Sequence, residues 1–103
     1  MPVSSEPYHK LRVPEHLADM IRGMHPELKR KIRSALKLIL KNPSSGKQLK
    51  EKLTGLNSYR IGRIWIIYRP AAGGAIEIVA IGPRKSVYRE TYRLVKKDQS
   101  NKF

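Results

Sequence analysis

Two stretches of the 103-residue chain interleave arginine with aromatic rings. Arg60, Arg63 and Arg69 alternate with Tyr59, Trp65 and Tyr68, and further on come Arg84, Lys85, Tyr88, Arg89, Tyr92 and Arg93. Guanidinium groups hold phosphates through paired N–H donors, and rings set among them stack on nucleobases. The pattern suits a surface that grips a single-stranded nucleic acid. Strand aromatics are also commonly buried, so Trp65 and Tyr68 admit a core reading as readily as a site reading. The arginines are harder to dismiss as a solvated face, because few acids balance them. Lys47, Lys50 and Lys52, just ahead in a polar stretch, extend the basic surface.

Other site chemistries find little material. His9, His16 and His25 do not have the spacings expected of zinc ligands, and there is no cysteine, so no metal site is expected. Gly73-Gly74 reads as a hairpin turn, not a phosphate-binding loop. The few, scattered acids do not make a paired-carboxylate or magnesium site, and no cofactor is expected. With 22 Lys+Arg against 8 Asp+Glu the net charge is +14, which predicts a polyanionic partner: nucleic acid or an acidic protein. An apolar fraction of 40% separates the chain from a disordered basic tail. No apolar run is long enough to span a bilayer, the N-terminus lacks the apolar core of a secretory signal, and the absence of cysteine suits a reducing compartment. These features predict a soluble cytoplasmic domain with no membrane role.

The elements that must position the arginines follow from periodicity. Residues 1–103 read as one domain, with 1–7 a loose arm and 96–103 a frayed tail. Tyr8, Leu11 and Val13 alternate as a short edge strand. Pro14 opens a helix carrying Leu17, Met20, Ile21 and Met24, and Gly23 closes it. Pro26 opens a second, with Leu28, Ile32, Ala35, Leu36, Ile39 and Leu40 on one stripe and Lys29, Arg30, Arg33, Lys37 and Lys41 on the other. His25 is read as a helix-entry residue and Asn42-Pro43 as the stop. Residues 44–58 read as a connecting loop. Tyr59 to Arg69 is strand-like, divided at Gly62, and Ala75 to Ile81 is another strand after the Pro70-to-Gly74 turn. A last helical segment is expected from near Ser86. The sum is an α+β fold: an N-terminal strand, a helical hairpin on a small antiparallel sheet of two or three strands, and a short C-terminal helical segment in a two-layer arrangement.

Three segments, taken in order, resemble the RelE/ParE toxins of bacterial and archaeal toxin–antitoxin pairs. They are Lys52-Leu53-Thr54-Gly55-Leu56-Asn57-Ser58-Tyr59-Arg60-Ile61, then Ile66-Ile67-Tyr68, then Ala80-Ile81-Gly82-Pro83-Arg84-Lys85-Ser86-Val87-Tyr88-Arg89. The resemblance implies a RelE-like fold over roughly residues 8–95. It also implies a metal-independent endoribonuclease that enters the ribosomal A site and cuts messenger RNA, inhibiting translation. In such enzymes the substrate 2′-hydroxyl attacks the adjacent phosphate and leaves a cyclic phosphate. By position, Arg60 follows the strand tyrosine, Arg84 matches the arginine of the glycine-x-arginine motif, and Tyr88 matches the C-terminal tyrosine. Trp65 stands where the family strand usually brings an arginine and Pro83 where a histidine is common. Arg63, two residues before Trp65, shares its strand face if pairing is regular and joins Arg60, Arg84 and Tyr88 as a catalytic candidate. Lys47, Lys50, Lys52, Lys85 and Arg89 are candidates for ribosomal RNA contact. The implied partners are an acidic antitoxin, the ribosome and its message, with operator DNA reached only through the antitoxin complex. A ParE-type gyrase inhibitor and a non-enzymatic RNA-binding module are the alternative readings.

Overall fold

The computed structural model describes residues 10–100, with side chains as far as Lys96. The arm at 1–7, Tyr8 and residues 101–103 lie outside the described residues.

The chain runs β1 (Leu11–Arg12), α1 (Glu15–Arg22), α2 (Pro26–Lys41), β2 (Lys47–Gln48), β3 (Asn57–Ile61), β4 (Ile64–Ala71), β5 (Ala75–Pro83) and α3 (Arg84–Ser100). The two N-terminal helices form where the periodicity places them. Pro14 precedes α1 and Gly23 caps its end. Pro26 opens α2, and the His25 ring accepts the Glu27 amide, satisfying one orphan donor of the first turn. Leu17, Ile21, Ile32, Ala35, Leu36 and Ile39 are buried, whereas Met20 on the α1 stripe is exposed.

The strands make one sheet in the order β1-β5-β4-β3-β2. β1 joins β5 in parallel and every other pairing is antiparallel. The sheet is thus larger than the expected meander of two or three strands. Part of the stretch read as loop, 44–58, supplies β2 and the start of β3. These short edge pieces lack an apolar alternation to announce them, since β2 is exposed throughout.

The layering also departs from expectation. Ile66, Tyr68, Ile76, Ile78 and Ile81 pack under α1 and α2. Ile67, Val79 and Ala80 lie on the opposite face with Val87 of α3 and with Leu53 and Leu56 of the loop before β3. Helices therefore cover both faces, giving three layers within the α+β class. The cause is legible in β4 and β5, whose near-continuous apolar runs bury both sides of the sheet. Each fully buried aliphatic contributes about 2 kcal/mol that would be lost with one face open. A bulge keeps β5 in phase: Ile78 faces Tyr68 and Ala80 faces Ile67, so Val79 is the extra residue. α3 is not a short segment, since it reaches Ser100, well into the stretch read as a tail. Among the described residues no helix is long and apolar enough to cross a membrane.

Candidate functional site

Alternation along β3 and β4 sorts the arginines from the rings. Tyr59 pairs with Ile66 on the face under α1 and α2, while Arg60 pairs with Trp65 on the face under α3. Tyr59 and Tyr68 thus pack with the helical hairpin. Tyr68 is completely buried, and its hydroxyl donates to the Pro43 carbonyl at 2.7 Å and accepts the Gly46 amide at 2.9 Å. Burial raises its pKa above the ordinary phenol value, against the opposing pull of the Gly46 hydrogen bond. Tyr68 is a structural pin.

Trp65, in contrast, sits among charges. β5 ends at Pro83, which has no N–H to continue the ladder, and α3 begins at once with Arg84. Arg84 and Tyr88 stand four apart on the helix and so point the same way. The Arg60 guanidinium lies 5.8 Å from the Trp65 ring centroid, and that of Arg84 lies at the same distance. Arg84 is also 5.9 Å from the Tyr88 ring, and the two rings meet at 6.3 Å with a 51° tilt. Each cation–π contact is worth about 0.5–1 kcal/mol at this exposure. That is enough to hold two like charges beside one ring. Arg60 Nε donates to the Gly62 carbonyl at 2.9 Å, which leaves the outer guanidinium edge to solvent.

Among the described residues neither Arg60 nor Arg84 is in an ion pair; the two ion pairs are Arg22–Asp19 on α1 and Arg69–Glu77 between β4 and β5. Among the described residues the Tyr88 hydroxyl has no hydrogen-bond partner. Two uncompensated guanidiniums and a free phenol therefore converge on one indole, which can neutralise an anion and exchange a proton beside it. Among the described residues no group of three potential metal ligands occurs.

The remaining candidates are more dispersed. Arg63 is not on a strand face with Trp65, because the chain reverses at Gly62-Arg63 and β4 begins only at Ile64. Gly62 adopts φ 59°, a conformation that favours glycine and lets the reversal occur in two residues. Arg63 is exposed at the tip, and the ring contacts of the cluster are made by Arg60, Arg84 and Tyr88 instead. Lys47 pairs with Ser58, two residues before Arg60, and so shares the Arg60 face. Lys50, Lys52, Lys85 and Arg89 are exposed. Trp65 is the residue that sequence reasoning misplaced. Taking Gly62-Arg63 as a two-residue turn would have set Arg60 opposite Trp65 and shown the ring as the centre of the site.

A second feature lies on the other side of β3. β2 covers only Asn57 and Ser58, and among the described residues no strand pairs with the edge from Tyr59 to Ile61. Between this edge and α2 runs a groove of about 430 Å³ with Ala35, Leu38 and Tyr59 in its wall and Arg30, Lys31 and Arg60 among its lining residues. Leu38 is 43% exposed there.

Solved structures with the same architecture are toxins. The RelBE2 toxin–antitoxin complex from Mycobacterium tuberculosis superposes with a TM-score of 0.64 at 19% identity, covering 75% of this chain and 99% of that one. A free-state mutant of the Escherichia coli toxin RelE gives 0.67 at 13% identity, covering 84% and 96%. The intact E. coli RelBE complex gives 0.62 at 10% identity, covering 73% and 95%. Identities this low establish the fold alone. No curated protein sequence matches the chain. The sequence model for the ParE toxin of the parDE type II toxin–antitoxin system matches residues 12–88, most of the chain and all of the sheet but Leu11. The chain is a type II toxin–antitoxin toxin belonging to the ParE family, on a fold shared with RelE.

Proposed function

We propose that the chain is a metal-independent endoribonuclease that cuts messenger RNA on the ribosome. The observation that supports this most is the convergence of Arg60, Arg84 and Tyr88 on Trp65 with no acid among them. In the proposed reaction the substrate 2′-hydroxyl attacks its own 3′ phosphate. A 2′,3′-cyclic phosphate forms as the bond to the next nucleotide's 5′ oxygen breaks, and that oxygen takes a proton from water and leaves as a hydroxyl. Tyr88 accepts the 2′-hydroxyl proton. Arg84 offsets the charge gathering on the phosphorane, and Arg60, fixed through Nε, orients the phosphate. Arg63 at the turn tip is left outside the reacting set and is assigned to backbone phosphate contact. Both this target and the alternative, DNA gyrase, lie in the cytoplasm.

The ParE family match favours one alternative, inhibition of gyrase. A cell-free translation extract and a supercoiling assay separate the readings. The nuclease reading expects message cleavage that requires ribosomes. Inhibited supercoiling with intact message would install the gyrase reading, and RNA affinity with neither effect would leave a basic RNA-binding module.

Lys47, Lys50 and Lys52 are proposed to contact ribosomal RNA backbone, with Lys85 and Arg89 on α3. Neutralising the three loop lysines is expected to weaken ribosome association and reduce its salt slope by up to about three log–log units. Cleavage of message already bound should be nearly unchanged. Unaltered association of the triple variant would reduce these lysines to a solvated face.

The partner is proposed to be an acidic antitoxin, as the RelBE complexes among the structural neighbours suggest, with operator DNA reached only through it. Its segment would lie across the hairpin and the sheet, where the α2–β3 groove offers apolar wall and cationic rim together. Leu38→Glu is expected to weaken the complex at least about tenfold, the loss typical of an interface anchor. Stability should hardly change, because Leu38 is exposed. Undiminished antitoxin capture by this variant would place the contact elsewhere.

A further inference from the structure

α3 carries two parallel ridges of side chains. Arg84, Tyr88 and Tyr92 follow at four-residue spacing and form one; Lys85, Arg89 and Arg93 follow at the same spacing and form the next. Arg84 and Tyr88 belong to the cluster on Trp65. Tyr92 lies one turn beyond, about 6 Å along the axis. Its neighbour Thr91 is completely buried, yet Tyr92 is 47% exposed, one of three large apolar side chains so exposed among the described residues. Among the described residues the ring enters neither of the two cores and has no hydrogen-bond partner.

Its surroundings are cationic. Lys85, Arg89 and Arg93 are exposed and unpaired with acids among the described residues. Glu90, the one acid on this part of the helix, projects on the side away from Tyr92, on the ridge with Ser86 and Leu94. A buried tyrosine would be explained by packing and a lone exposed one by chance. This one continues a row that begins at the candidate phosphate site and runs beside an uninterrupted ridge of positive charge.

Single-stranded RNA fits both ridges at once, since phosphates follow the cations while successive bases stack on rings, whatever their identity. We infer that Tyr92 is a base-stacking residue that extends the site along α3, holding the nucleotide next to the one at Tyr88 while Lys85, Arg89 and Arg93 carry the backbone. The inference rests on the RNA reading of the Trp65 cluster. It makes α3 the track by which the strand enters, and it predicts little base preference at this position.

The test compares Tyr92→Ala, Tyr92→Phe and Tyr92→Trp with the unaltered chain. The ligands are a short single-stranded RNA with an uncleavable 2′-O-methyl backbone, polyphosphate and poly-glutamate of matched charge, followed by anisotropy at low salt. Tyr92→Ala is expected to weaken RNA binding about tenfold, within the range for losing one stacked base. Phe and Trp should preserve it, and polyphosphate affinity should be the same for all four chains. Equal RNA affinity of Tyr92→Ala and the unaltered chain overturns the inference and leaves the RNA reading standing. So does a loss shared by Phe, which would trace the effect to the hydroxyl. An unaltered chain that binds RNA no better than polyphosphate overturns both. A loss confined to poly-glutamate would assign the face to an acidic protein instead.

Discussion

Tyr88→Phe is expected to lower message cleavage on programmed ribosomes by about a hundredfold or more, with the thermal midpoint almost unmoved. The substitution keeps the ring that meets Trp65 at 6.3 Å and removes only the hydroxyl, which has no partner among the described residues. Packing is therefore preserved, and what is lost is the general base, commonly worth two to four orders of magnitude. Arg84→Ala is expected to cost about 3 kcal/mol of transition-state stabilisation, the scale of one oxyanion-type donor. Its two ring contacts carry no more than about 2 kcal/mol of stability together. Arg84→Lys should recover only part of the rate, because an ammonium keeps the charge but not the planar fork that matches a phosphate. Single-turnover cleavage and a melting curve on the same preparations separate chemistry from folding. If growth arrest persists undiminished in the Tyr88→Phe, Arg84→Ala double variant, the nuclease reading fails and gyrase becomes the target to pursue.

The two kinds of information in the sequence were unequal guides to this site. α2 was legible because a single exposed stripe, Arg30, Arg33, Lys37 and Lys41, alternates at helical period with a buried one. β4 and β5 were legible as strands from their composition. Their burial on both faces was also written there, in runs too apolar for one solvated side. Its consequence, a helix on the far face, was obscured by α3 itself. Among its described side chains only Val87, Thr91 and the half-buried Tyr88, Leu94 and Val95 turn toward the sheet, and two polar ridges dominate its composition. β1 and β2 have two residues each, too few for any period to register. At the site, the interleaving of arginine with aromatic rings put Arg60, Arg84 and Tyr88 among the candidates, and the family resemblance singled them out by position. Register, not type, decides what Arg63 and Trp65 do. One residue of difference in where the hairpin turns sends the first to the tip and the second to the centre.

Gly46→Ala is expected to be the most damaging single change outside the cores, lowering stability by about 3 kcal/mol or more. A Cβ on Gly46 would fall 2.8 Å from the Ser58 carbonyl and 2.9 Å from Tyr68 Cε1, with the Tyr68 hydroxyl nearer still. The backbone oxygen cannot move aside without disturbing β3, and displacing the loop breaks the Gly46 amide bond to Tyr68. Tyr68→Phe removes the other half of the arrangement and should cost about 1–3 kcal/mol, leaving the Gly46 amide and Pro43 carbonyl short of a partner. For a domain of this size that is a fall of roughly 10 °C in Tm. Combining the two is expected to cost less than their sum, since deleting the hydroxyl removes the closest clash but not the one with Ser58. The phenol also predicts a pH dependence. Burial raises its pKa in the folded chain, so the neutral form is favoured there and the hydroxyl can donate to Pro43. That stability is fully present below the unfolded phenol pKa of about 10 and is lost as pH rises through the higher folded value. Urea unfolding at neutral and strongly alkaline pH should show this loss in the unaltered chain and its attenuation in Tyr68→Phe; an equal alkaline loss in both would assign it to other groups. The pin matters for function because Gly46 leads directly into β2 and Lys47. Gly46→Ala chains that remain folded at low temperature should therefore bind ribosomes more weakly while retaining the Trp65–Tyr88 cluster, and unchanged ribosome association would separate this loop from the RNA surface.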